Sequence, residues 1–116
     1  MRNLLMALIL PLTFCHPVNA EERGCLTSTM VATSMAENSP AELVRHFVGD
    51  DSTTFMEAFN SSPPETDWVA DEVMVYSIDN NPAVYLFMFN EGCAFKRGTY
   101  PRQAFERIMN THFIEA

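Results

Sequence analysis

From Phe47 to Phe95 the chain contains no lysine and no arginine, although Asp50, Asp51, Glu57, Glu65, Asp67, Asp71, Glu72, Asp79 and Glu91 all fall in that stretch. Overall, 7 bases stand against 15 acids, a net charge of −8. So small a supply of cations argues against nucleic acid or an anionic membrane surface as partner. Glycine is scarce as well, with 4 residues in 116. No glycine-rich phosphate loop, Gly-x-Ser-x-Gly or His-Glu-x-x-His is present, so no motif dictates a reaction. Beyond residue 20 no apolar run nears the roughly 20 residues that a membrane-spanning helix needs.

The longest apolar run stands at the start. Arg2 is followed by a nearly unbroken apolar stretch from Leu4 to Phe14, and Val18-Asn19-Ala20 supplies small residues at the positions a signal peptidase reads. The pattern predicts a secretory signal over residues 1–20, cut before Glu21, and places the mature protein in the periplasm or outside the cell with no transmembrane anchor. Cys15 lies inside that signal behind the bulky Phe14, which does not suit lipoprotein processing. Two cysteines remain, Cys25 and Cys93. In an oxidising compartment they are expected to form one disulfide. The alternative is a nucleophilic or metal-binding thiol, for which His46 and His112 are the available companions.

The mature chain suits one small domain of class α+β. Residues 21–38 read as a polar lead-in, extended or weakly helical, and residues 39–116 as the domain. Ser39-Pro40-Ala41-Glu42 has the form of a capping box with proline at the first helical position. Leu43, Val44, Phe47 and Val48 then make an apolar stripe that Gly49 ends. Asp50 to Thr54 starts a second helix, with Phe55, Met56 and Phe59 on its buried side and Asn60 and Pro63-Pro64 at its end. Glu72 to Ile78, Ala83 to Phe89 and Cys93 to Arg97 read as three antiparallel strands joined by Asp79-Asn80-Asn81-Pro82 and Asn90-Glu91-Gly92. Tyr100-Pro101 opens a last helix whose inner face is Ala104, Phe105, Ile108 and Met109. The expected order is α-α-β-β-β-α, a three-stranded meander with the helices packed on one face.

Alternation assigns the two faces of that sheet. Val73, Val75, Val84, Leu86, Met88, Cys93 and Phe95 form an aliphatic face for the helices. Met74, Tyr76, Ile78, Tyr85, Phe87, Phe89 and Lys96 form an aromatic one, and a one-residue slip in the last turn would exchange the third strand's contribution. The aromatic face is the expected partner-binding surface, with Tyr76, Tyr85, Phe87, Phe89 and Lys96 as contacts, because Tyr, Phe and Met are enriched where proteins touch. Glu42 and His46 stand one helical turn apart, which is metal-ligand spacing, but nothing completes a shell and a surface pair is expected.

The helix–helix–meander order over residues 39–98, with its aromatic hairpin ending in Phe89-Asn90-Glu91-Gly92, resembles small envelope assembly-factor and inhibitor domains. The resemblance implies a protein that binds other proteins in the periplasm. The expected function is a non-catalytic exported binding or accessory module, using the aromatic face on a protein partner or in self-association, with no cofactor, no metal and no catalytic residues. A small cysteine-dependent enzyme or a metal-handling envelope protein using Met and His ligands is the alternative.

Overall fold

The computed structural model describes residues 24–38 and 41–113. The expected signal over residues 1–20 and the Ser39-Pro40 start of the expected capping box lie outside the described residues. Among the described residues, three helices and four strands follow one another as α1 (Ser28–Asn38), β1 (Ala41–Val48), α2 (Asp50–Asn60), β2 (Glu72–Ile78), β3 (Ala83–Asn90), β4 (Cys93–Pro101) and α3 (Arg102–His112). The strands form one antiparallel sheet in the order β1-β2-β3-β4. The α+β class expected from the sequence is what the chain forms.

The strand count differs by one, because the first expected helix is strand β1. Val44, Val48 and Phe47 are strand formers, and a helix of two turns is marginal without a docking face. Pairing with β2 satisfies the backbone instead, from Ala41 opposite Ile78 to Val48 opposite Glu72. The register shifts between Leu43 and Arg45, so Val44 is the extra residue of a bulge. That bulge, and an edge position that buries only Phe47 among these eight residues, removed the alternation that would have marked a strand. Gly49, at φ 60°, makes the corner into α2.

The first helix, α1, comes from the polar lead-in. Thr27 caps α1, its hydroxyl accepting from the Met30 N–H at 3.2 Å and its carbonyl from the Val31 N–H at 3.0 Å. The apolar face of α1 is narrow. Val31 is buried and Met35 half-buried, and together with Leu26 they pack against Met74, Tyr76 and Phe89. The helices therefore occupy both faces of the sheet, and not one. Cys25 and Cys93 are joined, with Cα atoms 5.5 Å apart, and the Ala94 N–H donates to the Leu26 carbonyl at 2.8 Å. This double tie at the start of β4 holds α1 across the sheet.

The opposite face carries the larger core. α2 delivers Phe55 and Met56, α3 delivers Phe105 and Ile108, and the sheet meets them with Phe47, Val73, Val75, Val84, Leu86, Met88 and Tyr100. The valines, Leu86 and Met88 are where alternation put them. The β2–β3 turn uses Asn80 at φ 63°, and the β3–β4 hairpin uses Glu91 and Gly92 at φ 52° and 85°, the double positive φ that a two-residue hairpin favours.

Candidate functional site

A second bulge sets the composition of the site. Met88 pairs with Lys96 but Phe89 pairs with Ala94, leaving Phe95 as the extra residue of β4. Beyond the bulge the strand is turned over relative to simple alternation. Lys96, Gly98 and Tyr100 share the face of Met88, Leu86 and Val84, while Arg97 and Thr99 share that of Phe87 and Tyr85. Lys96, expected on the aromatic face, is thus on the face that carries α2 and α3.

Facing it is the loop from Ser61 to Asp71, folded back onto the sheet by a set of side-chain hydrogen bonds. Asn60, the last residue of α2, donates from Nδ2 to the Trp68 carbonyl at 2.8 Å and accepts from the Thr66 hydroxyl at Oδ1. Ser52, fully buried in α2, donates to the Ala70 carbonyl at 2.7 Å. Asn90 donates to the Val69 carbonyl at 3.1 Å. Asp71 donates its N–H to the Phe89 carbonyl at 3.0 Å and accepts from the Glu91 N–H at Oδ2, also at 3.0 Å. A long connection fastened at so many points is ordered by polar contacts, since its own side chains contribute little burial.

The result is a groove of about 400 Å³ between this loop and β4, within the size range of ligand pockets. Phe59 lines it, with its ring centroid 5.9 Å from that of Trp68 and 5.0 Å from that of Tyr100. The stack continues inward through Phe55, 6.1 Å from Phe59, to Phe47, 4.8 Å from Phe55. Pro63 and Pro64, joined by a cis peptide, form the outer wall. On the sheet side Gly98 leaves the floor open, because a Cβ built there meets nothing within 4 Å. The Lys96 ammonium sits 4.8 Å from the Trp68 ring centroid at the rim. Among the described residues, Lys96 and Arg97 are the only charged ones lining the groove, and the Arg97 position faces the far side by register. Tyr100 is buried, and its hydroxyl is the one buried side-chain polar atom among the described residues with no hydrogen-bond partner.

The aromatic face fares differently from expectation. Tyr76 and Phe89 are 4% and 0% exposed beneath α1, so neither presents a contact surface. Burial also pushes the Tyr76 phenol above its ordinary pKa. Tyr85 and Phe87 remain half-buried, Phe87 packing edge-on to Tyr76 at 6.0 Å. The disulfide of Cys25 with Cys93 uses both sulfurs. His46 does not pair with Glu42 on its own element. Its Nε2 lies 2.7 Å from Glu72 Oε2 on the neighbouring strand. Among the described residues no group of three His, Cys, Asp or Glu converges as a metal-binding set, and no helix is long and apolar enough to cross a membrane.

Trp68, Phe59 and Tyr100 were not legible as a set, because they come from a loop, a helix end and a strand end. The available signal was the single tryptophan placed between a Pro-Pro pair and a strand, a position where a large apolar residue has no periodic partner to bury it. No protein-family model matches this chain, and neither does any curated protein or any solved structure.

Proposed function

We propose that this is a small exported, disulfide-braced, non-catalytic module that binds another protein, and that it holds its partner in the Trp68 groove. The observation that carries this reading is an apolar, aromatic-walled groove whose charged lining residues, among the described residues, are both cations, in a chain of net charge −8. A preformed recess with large, stiff aromatic rings gives contact area at little entropic cost. The signal-like pattern of residues 1–20 and the Cys25–Cys93 bond support the reading of an oxidising compartment. The cysteine-nucleophile alternative gains no support, since both mature thiols are spent in one bond.

The test is capture from the native host's exported fraction with the wild-type protein and with Gly98→Val. Valine suits an edge strand, and its side chain projects into the groove. A partner retained by the wild type and lost by Gly98→Val, with circular dichroism unchanged, is the expected result. Equal capture by both proteins would remove the groove from the function.

A further inference from the structure

Resting on that reading, we infer that the groove takes the carboxy-terminal segment of a partner chain, laid along β4 with an apolar side chain over Gly98 and its terminal carboxylate at Lys96. Lys96, Gly98 and Tyr100 stand on one face at alternate positions of an edge strand. At roughly 3.3 Å per residue, Lys96 and Tyr100 are separated by about 13 Å along the strand. At one end is a cation held over an aromatic ring. At the other end is a tyrosine hydroxyl with no partner. Between them is an open floor.

A span of about 13 Å between those two strand positions suits an elongated ligand with an acceptor toward each end, which a small acid does not supply. A chain of about four extended residues does, with its carboxylate toward Lys96 and an upstream backbone carbonyl toward Tyr100. Edge strands offer alternate backbone groups to such a chain, and flanking pockets select its side chains. A lysine on the edge also discourages open-ended pairing between copies of the sheet. Charge complementarity favours the anionic end, because no acid among the described residues lines the groove and Lys96 stands at its rim.

Trp68, the single tryptophan, reports occupancy by its fluorescence. The oxidised protein is titrated with an acetylated hexapeptide, Gly-Ser-Gly-Thr-Val-Leu, carrying either a free carboxylate or a terminal amide. The free acid is expected to saturate and the amide to bind about tenfold more weakly, the loss of one charge-assisted contact. Lys96→Gln should bring the two peptides to equal affinity, and Tyr100→Phe should weaken both without lowering the unfolding midpoint. Gly98→Val should remove both while the dichroism spectrum stays native. Equal binding of acid and amide to the wild type would overturn the assignment of the carboxylate. Binding of 4-methylpentanoate as tight as the free-acid peptide would overturn the extended chain. If neither peptide saturates while Gly98→Val still abolishes partner capture, this inference fails and the binding-module reading stands. If neither peptide saturates and Gly98→Val captures as the wild type does, both fail.

Discussion

The Lys96 ammonium lies over the Trp68 ring at 4.8 Å from its centroid, joining the edge strand β4 to the loop that succeeds α2. Both residues are at the surface end of the aromatic stack that starts at Phe47. An exposed cation–π contact of this kind contributes about 0.5–1 kcal/mol. Lys96→Ala is therefore expected to lower stability by no more than about 1 kcal/mol while shifting Trp68 emission. Urea unfolding followed by both dichroism and fluorescence measures the two effects. A native emission spectrum in the variant would mean that the contact does not persist in solution.

Ser52 is expected to matter far more than its size suggests. Its buried hydroxyl is the bond that ties α2 to the loop carbonyl of Ala70. Ser52→Ala leaves that carbonyl short of a partner, a cost of about 1–3 kcal/mol. Chemical denaturation gives the number, and hydrogen exchange of residues 61–71 should rise ahead of the rest of the chain.

Phe55 is fully buried between Phe47 and Phe105, with centroids at 4.8 and 6.3 Å. Phe55→Ala should cost about 3–5 kcal/mol, a large part of the stability of a domain this small. A loss below about 1 kcal/mol in chemical denaturation would contradict the packing described.

Reduction of Cys25–Cys93 reopens a loop spanning a sequence separation of 68, for which chain entropy gives about 4 kcal/mol. The first segment released should be α1, because its buried contacts are few and its tie to β4 is the disulfide and the Leu26–Ala94 hydrogen bond. Cys25→Ser with Cys93→Ser is expected to bind a hydrophobic dye through the uncovered Met74, Tyr76 and Phe89. Unchanged dye binding would show that α1 holds its place without the bridge.

Burial raises the Tyr76 pKa above the ordinary tyrosine value of about 10. The stabilisation from keeping the phenol neutral is complete below the unfolded pKa and is lost as pH rises through the folded one. An ultraviolet titration should show a phenol ionising above the ordinary tyrosine range, and Tyr76→Phe should delete that component.

The two sheet faces were readable from β2 and β3, where side chains alternate between two covered faces because both strands are central. Alternation misleads where the bulges at Val44 and Phe95 interrupt it. A bulge has no local signature here, since it is set by which partner residues can pair once the strands meet. The α1 helix was faint for a related reason. Val31 and Met35 are a narrow stripe that becomes apolar packing only when the disulfide brings it over Tyr76 and Phe89.

Composition, periodicity and turn chemistry by themselves determined the α+β class, the β2–β3–β4 meander, helices α2 and α3 and the Cys25–Cys93 pairing. Each of these depends on neighbours in the chain or, for the disulfide, on Cys25 and Cys93 being the two cysteines outside the expected signal. Tertiary structure alone decided that residues 41–48 pair as a strand, that α1 buries Tyr76 and Phe89, and that Lys96 faces Trp68. Those outcomes turn on which surfaces meet across long sequence separations, and a one-residue shift in pairing moves a side chain from one side of the sheet to the other.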